Sequence, residues 1–554
     1  MTFPIRIQRL FLLLSMLMSG FCGIIAELSL FNLANSLIGG VNIVLTYTMG
    51  VMMFCMGVGA LTVRLRVFRG PLHLFFVGIE SILSIIVGVC VPVIYFLSAW
   101  FPHLSIAWVL GFSAIIGYLI GFEIPLILLI NERLKQPLQD NSALVFFADY
   151  VGSLIAFILF SHYMLVTFGL AYTAIIGAGL NWLIAVLTAV TFGREIQRFR
   201  LALGLITSSG LVLGALLINC GTFMAYTEQL HYRDKIVLSK RTPYQKLIVT
   251  DSSLAGNPRY NHIHRERPRK ELASVKLDSV TVSLKEFKPF QGKRDIRMFI
   301  NGGLQFSTVD EHYYHEMMVH PAMFLSQRAE TILIGGGGDG MALREVLKHP
   351  FVKEVLVIDI DPEITALFTV NPLFCGFNDS AYHDPRVKVL NADMFTWLKN
   401  SGRGFDVIIL DFPDPHHDEV AKLYSLQMYR YAHLSLNPGG LLVTQSTSPY
   451  FNRRAFLIIA RTMERVFPGS VLSYKVAMPA FGLWGFQLAS KEMSGQELKR
   501  RLEGFAIDVP VGFINREIVQ SSYRWSRVTL KGYDTMPVND WLKPVLVKAY
   551  VSGR

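Results

Sequence analysis

Apolar positions follow two regimes along this chain. In residues 1–224 they form long blocks, each of about 20 residues or more, enough to cross the ~30 Å hydrocarbon core of a bilayer as a helix. About seven such spans can be drawn, at 9–33, 41–63, 74–100, 105–130, 144–169, 171–192 and 201–224. From 331 onward the runs are short: TILI (331–334), VLVI (355–358), VKVL (387–390), DVIIL (406–410) and LLVT (441–444), with stretches of helical period between most of them. Strands alternating with helices predict a doubly wound α/β sheet. Residues 225–330 read as a linker and a small β-rich section, in which KLIVTD (246–251) and DIRMFING (295–302) are strands and the second enters a Gly302-Gly303 turn. The expected domains are 1–224, a multi-pass helical membrane bundle, then 225–330, then 331–554.

Composition sharpens this division. Hydrophobic residues make up 52% of the chain, and the excess lies in the first 224 residues. Arg6 and Arg9 precede an apolar stretch that runs on too long for a cleaved signal peptide. Of the five cysteines only Cys375 lies outside the apolar part, so no disulfide framework or CxxC metal site is expected. A net charge of +11 raises nucleic acid as a partner, but much of it sits in RLRVFR, NERLK and GREIQRFR, after the second, fourth and sixth spans. The alternate loops carry almost no Lys or Arg. That asymmetry sets membrane orientation, with the N-terminus and basic loops in the cytoplasm, and nucleic acid is set aside. Four acids fall within the spans: Glu27, Glu80, Glu123 and Asp149. They read equally as a path for a cation or as helix–helix hydrogen-bonding groups. The basic stretch 256–270 reads as a solvated loop.

Candidate chemistry centres on 331–361. A strand enters GGGGDG (335–340), a helical stretch follows, and a second strand ends in Asp359. Strand, Gly-rich turn, helix, strand and acid make the first unit of a nucleotide-binding sheet, with Asp359 about 20 residues past the turn and able to accept both hydroxyls of a ribose. Gly335, Gly337 and Gly340 satisfy GxGxxG, a weak signal by itself. Asp339 inside the turn says more. A pyrophosphate there meets a carboxylate, whereas a sulfonium or an amine is attracted, which favours an S-adenosyl ligand over NAD.

Strand ends elsewhere supply Asp393, Asp411 and Gln445. Asp411 and Asp414 stand three apart in DFPDPHHDE, and VDEHYYHEMMVHP upstream contributes Asp310, Glu311, Tyr314, His315 and Glu316. An acidic, aromatic-lined pocket suits a di- or polyamine. A sulfonium activates its neighbouring carbon, and an amine attacks it only as free base, so one carboxylate must take a proton. Asp411, beside the expected sulfonium, is the base, and Asp414 holds the nucleophile.

These stretches make residues 242–490 resemble the spermidine synthase (polyamine aminopropyltransferase) family. The matching segments are PYQ (243–245), DEHYYHEMMVH (310–320), GGGGDG (335–340), DID (359–361), NAD (391–393), DFPDP (411–415) and LYS (423–425). With the apolar spans, the chain is similar to the bacterial membrane-attached members. The resemblance implies a Rossmann-like, S-adenosylmethionine-dependent methyltransferase-type domain. It implies no permanently bound cofactor, with decarboxylated S-adenosylmethionine as donor, putrescine as acceptor, and spermidine and methylthioadenosine as products. It also implies a proton acceptor at Asp411, nucleoside contacts at Gln245 and Asp359, and an adenine contact at Asp393. Tyr314, His315, Asp339 and Asp414 fall on positions that hold the aminopropyl or amine groups.

The chain departs from the family pattern at Phe412, at His416, His417 and Asp418, at Met394, and at Pro479-Ala480-Phe481-Gly482. All but Met394 lie on the expected acceptor side. Two other readings remain, an S-adenosylmethionine methyltransferase on the same sheet and a membrane polyamine sensor or transporter that only binds. The expected location is the bacterial inner membrane. Seven crossings place the catalytic part outside, yet S-adenosyl donors are cytosolic. A cytoplasmic catalytic domain is therefore expected, with 9–33 a re-entrant or interfacial segment because Gly20, Gly23 and Glu27 interrupt it. The oligomeric state, homo-oligomer included, is left open.

Overall fold

The computed structural model describes residues 4–38, 41–66, 71–133, 138–196, 198–254, 275–277, 280–282, 294–326 and 329–553. The stretch 256–270, expected as a solvated loop, lies outside them. The chain forms two compact units. One comprises Met1–Ile236, and the other comprises Val237–Ser253 and Leu272–Arg554.

The first unit is helical: α1 (Ile5–Ile38), α2 (Val41–Arg66), α3 (Leu72–Trp100), α4 (Ser105–Ile120), α5 (Glu123–Arg133), α6 (Leu138–Leu159), α7 (Leu165–Phe192) and α8 (Phe199–His231). Among the described residues, six apolar helical stretches are long enough to cross a membrane. The fifth, Ser142–Phe192, has 51 residues, roughly 77 Å as a straight helix and more than twice the core of a bilayer. It breaks at Gly169, whose φ of 73° and ψ of 174° are not helical. Where the sequence reading drew separate spans at 144–169 and 171–192, the chain turns at that residue.

Contacts fix the helix directions. Gly152 lies against Leu17 and Gly20 against Asp149, while Ile25 and Leu28 cluster with Ala156, Phe160 and Met164. Thus α1 and the 142–168 segment run the same way. Phe11 meets Phe192 at 6.0 Å and Gly177 meets Ile25, so α7 beyond Gly169 runs opposite to α1. His73 stacks on Phe192 at 4.6 Å and Gly88 faces Ala178, making α3 antiparallel to α7. Gly78 faces Leu205 and Phe96 meets Phe223, making α8 parallel to α3. Gly117 lies on Met52 and Gly121 on Met56, making α2 and α4 parallel, and Phe75 near Phe122 turns α4 against α3.

α1 runs unbroken through Gly20, Gly23 and Glu27, so these residues do not interrupt it as expected. Gly20 there admits a neighbouring backbone rather than ending the helix. Among the acids, Glu80 and Glu123 are fully buried, and Glu123 accepts a hydrogen bond from Ser19.

The second unit begins with strands β1 (Lys235–Arg241) and β2 (Lys246–Asp251), which join β5 (Ile296–Ile300) and β6 (Gly303–Ser307) in a four-stranded sheet of order β1-β2-β5-β6. Between them β3 (Val275–Leu277) and β4 (Val280–Val282) form a small antiparallel pair. Helix α9 (Glu311–Ser326) leads into a seven-stranded sheet of β7 (Thr331–Gly336), β8 (Glu354–Asp359), β9 (Val387–Asn391), β10 (Phe405–Asp411), β11 (Leu436–Gln445), β12 (Val471–Met478) and β13 (Gly482–Ser490). Its order is β12-β13-β11-β10-β7-β8-β9. Strands β7 to β11 are parallel to their neighbours, and β13 and β12 are antiparallel additions. Such strands are buried on both faces, which is why β7, β8 and β10 are continuous apolar runs. The chain leaves β7 toward β8 on one side and returns with β10 on the other. That reversal opens a crevice beyond the carboxyl ends of β7 and β10, where ligands of open α/β sheets bind.

Candidate active site

Two strand ends meet at this crevice. Asp411, last residue of β10, pairs in register with Gly336 of β7, and Gly337 N donates to the Asp411 carbonyl at 3.2 Å. Gly336 takes φ 76°, and a Cβ there would stand 2.2 Å from the Asp411 carbonyl oxygen. Only glycine lets the turn close this tightly onto the neighbouring strand. After the turn, Asp339 Oδ1 accepts from Met341 N at 2.9 Å and opens helix α10 (Met341–Leu347), where the N-terminal partial charge favours a carboxylate. Gly335, next to last in β7, and Gly337, in the turn, offer backbone only.

Asp359 ends β8 with one oxygen on Gly338 N at 3.1 Å and the other on Asp361 N at 2.8 Å. Its burial, partly offset by those bonds, pushes its carboxyl up to about 6. Asp361 caps α11 (Pro362–Val370) and also accepts from Gln245 Nε2 and Thr242 Oγ1, each at 2.8 Å. Gln245 is therefore fixed beside the acidic end of β8. Asp393 caps α12 (Met394–Asn400) through Thr396 N at 2.7 Å and pairs with Lys422 at 2.8 Å. Burial raises its carboxyl, but Lys422 and the cap outweigh that and hold it below the usual range.

Helix α9 brings the aromatic side. Tyr314 Oη donates to Asp411 Oδ1 at 2.6 Å. Burial, with Asp411 alongside, pushes this phenol well up, so it stays a donor. His315 is buried, and its Nδ1 meets Glu311 Oε2 and the Glu311 carbonyl, each at 2.8 Å. Burial alone would lower its affinity for a proton, but Glu311, then Asp339 and Asp411, lift it to about 9. At neutral pH an imidazolium therefore stands beside the two carboxylates. Asp411 is raised to about 6 by burial and by Asp339, against the opposing pull of His315 and the Tyr314 hydrogen bond.

The DFPDP loop is held from below. Gln445 Nε2 donates to the Phe412 carbonyl at 2.8 Å and to the Tyr424 hydroxyl, and Tyr424 Oη donates to the Pro413 carbonyl at 2.9 Å. Asp414 Oδ2 accepts from Tyr550 Oη at 2.7 Å, and its Oδ1 faces Gln445 Nε2 at 3.4 Å. Burial raises Asp414 to about 6 despite these bonds.

The geometry thus gathers Tyr314, His315, Asp339, Asp411 and Asp414 around one crevice, with Asp359 and Gln245 at the neighbouring strand end. Glu316 turns elsewhere. Its two oxygens accept from Gly512, Phe513 and Ile514 N at 2.7–2.8 Å. Asp310 likewise accepts from Ala480 N at 2.6 Å. Sequence reasoning missed the partners that hold the site. Glu311 locks His315, a pairing its i,i+4 spacing on one helix face could have signalled. Arg344 clamps Glu311 through two bonds of 3.0 Å. No local signal marks Tyr550.

Residues 311–500 match the family described as the spermine/spermidine synthase domain. Polyamine aminopropyltransferase 1 of Streptomyces coelicolor is 35% identical over 493 residues, covering 87% of this chain and 84% of that protein. Polyamine aminopropyltransferase 2 of Aquifex aeolicus is 31% identical over 535 residues, covering 96% of each. The crystal structure of spermidine synthase from Thermotoga maritima aligns with 88% of its chain and 55% of this one, at 22% identity and a TM-score of 0.42. With relatives above 30% identity along most of its length, this chain belongs to the polyamine aminopropyltransferases, enzymes of spermidine synthase type.

Proposed function

We propose that this protein transfers the aminopropyl group of decarboxylated S-adenosylmethionine to putrescine, giving spermidine and methylthioadenosine, with Asp411 as general base. The observation that carries this reading is Asp411 itself, a buried carboxyl at the crevice, raised to about 6 and hydrogen-bonded by Tyr314. A base of that strength is ionised at neutral pH and can still accept a proton in the transition state.

In the proposed step the free amine of the acceptor attacks the carbon next to the sulfonium. A C–N bond forms and the C–S bond breaks. Its electron pair stays on sulfur, which leaves as a neutral thioether, and the proton shed by nitrogen passes to Asp411. Asp359 would take the ribose hydroxyls by releasing the backbone donors that now occupy it, with Gln245 beside it and Asp393 toward the adenine. Gly335 and Gly337 let the turn approach the nucleoside. Asp339 would pair with the donor's amine, which the missing carboxylate leaves unopposed. Tyr314 orients Asp411, His315 supplies a compensating charge, and Asp414 takes the acceptor amine.

A methyltransferase or a sensor that only binds is not favoured. The first must accept a donor carboxylate beside Asp339, and the second needs no base. The helical unit, compatible with membrane association, is proposed as a bilayer anchor in a bacterial inner membrane. Purified protein given putrescine and the donor should yield spermidine and methylthioadenosine, and Asp411→Asn should lose at least about 10³-fold of that rate. Unchanged turnover in the variant would sink the base assignment, and methyl transfer from S-adenosylmethionine would replace the reaction.

A further inference from the structure

The carboxylate proposed to hold the acceptor does not stand alone. Tyr550 Oη donates to Asp414 Oδ2 at 2.7 Å, and this tyrosine lies well beyond residue 500, where the match to the synthase domain ends. It sits on helix α13 (Leu546–Val551). That helix is not a loose tail. Leu546 and Ala549 are buried in the core formed with Tyr424 and Met428.

Asn539, wholly buried, ties the start of α13 to the DFPDP side. Its Oδ1 accepts from Val545 N at 3.2 Å and Leu546 N at 3.3 Å. Its Nδ2 donates to the Ala421 carbonyl at 2.9 Å and the Tyr424 carbonyl at 3.2 Å. Asn452 Nδ2 donates to the Tyr550 carbonyl itself at 2.9 Å. The phenol is therefore presented to Asp414 by a fixed element.

We propose that Tyr550 is a specificity-determining residue of the acceptor site, its phenol and the Asp414 carboxylate together receiving one ammonium of the acceptor diamine. This rests on the reading of Asp414 as the acceptor carboxylate. An ammonium has three donors, and Asp414 keeps lone pairs free beyond the one Tyr550 fills. The phenol oxygen, while donating to Asp414, can still accept. Two oxygens at fixed spacing, one charged and one neutral, define where the ammonium rests, and hence how long a diamine can be with its other nitrogen at Asp411. Burial, with Asp414 next to it, pushes the Tyr550 phenol up, so it keeps its proton.

The test compares the parent with Tyr550→Phe on putrescine, 1,3-diaminopropane and cadaverine. Loss of a hydrogen bond to a charged group should raise the putrescine KM about ten-fold and narrow the spread of kcat/KM among the three diamines. kcat and the donor KM should stay within about two-fold. The Tyr550 bond also opposes the rise of Asp414, so the KM ratio of variant to parent should be larger at pH 6 than at pH 8. Asn452→Ala, which loosens α13 and leaves the phenol intact, should move acceptor KM in the same direction. An unchanged acceptor KM and diamine preference, or a donor KM that rises in step, overturns the assignment. If the parent turns over no diamine, the reaction reading fails separately. Calorimetric titration of putrescine into parent and variant, with methylthioadenosine present, then decides the role of Tyr550.

Discussion

Asp411 is tuned by opposed effects. Burial raises its carboxyl, the His315 imidazolium pulls it down, and Asp339 pushes it up again, with the balance near 6. His315 can play that part only while protonated, which Glu311 ensures up to about pH 9. The sign of the pH dependence follows. With Asp411 as the proposed base, turnover needs it ionised, so kcat/KM should rise through an acid limb near pH 6. Replacing His315 by Asn removes the cation that favours the carboxylate, so that limb should move to higher pH. With the lone carboxyl less opposed, a displacement of about one unit is expected, read from the pH profile of kcat/KM at saturating donor. A limb that stays in place, or moves toward acid, would show that His315 does not set the charge of Asp411. The same side chains carry a cost. Asp414, at about 6 rather than 3.8, contributes stability that is present below about pH 4 and lost as pH rises through 6. At neutral pH its ionised form therefore costs up to roughly 3 kcal/mol.

At the scale of elements, strands β7, β8 and β10 and the Gly-rich turn could be read directly from the sequence. A strand buried on both faces is a continuous apolar run, and a turn needing positive φ at Gly336, Gly337 and Gly340 leaves its mark in composition. The pair β12 and β13 is less legible because Val471–Met478 buries alternate residues and so lacks the continuous apolar run that marks the central strands, although Pro468-Gly469 and Pro479 bound it. The DEHYYHE stretch was legible only in part. Its acids share a helix, yet the helix points them in different directions, a fact of three-dimensional packing that spacing does not encode. Tyr314 and His315 face the crevice, whereas Glu316 clasps the backbone of 512–514. Glu316→Gln sets an amide where three N–H groups converge and should cost about 2–4 kcal/mol of stability in this unit. Below its lowered melting transition, KM for donor and acceptor should match the parent. A loss of acceptor binding without a loss of stability would instead return Glu316 to the substrate pocket.

At the scale of the whole molecule, if the helical unit is the bilayer anchor proposed above, its helix directions bear on the side from which the chain emerges. Among the described residues, α1, α3, the 142–168 segment and α8 run one way, and α2, α4 and the rest of α7 run the other, so helix directions alternate along the chain once the turn at Gly169 is counted. The side chains near one face include Arg6, Arg9 and Arg198. At the other, His231 at the end of α8 lies on Tyr95 near the end of α3, ring centroids 4.6 Å apart. Positive loops stay in the cytoplasm, which would carry Asp234, just past α8, to the opposite side. The expected cytoplasmic placement of the catalytic unit, drawn from where S-adenosyl donors are made, requires an even number of crossings and is opposed by this alternation. Cysteines introduced at Arg198 and at Asp234 separate the two. In intact spheroplasts a membrane-impermeant maleimide should label Asp234→Cys and spare Arg198→Cys until the cells are lysed. That result would require the donor to reach the outer face. Protection of both positions would mean that one leg turns back without crossing, with the hairpin at Gly169 the first place to look, and would put synthesis where the donor is made.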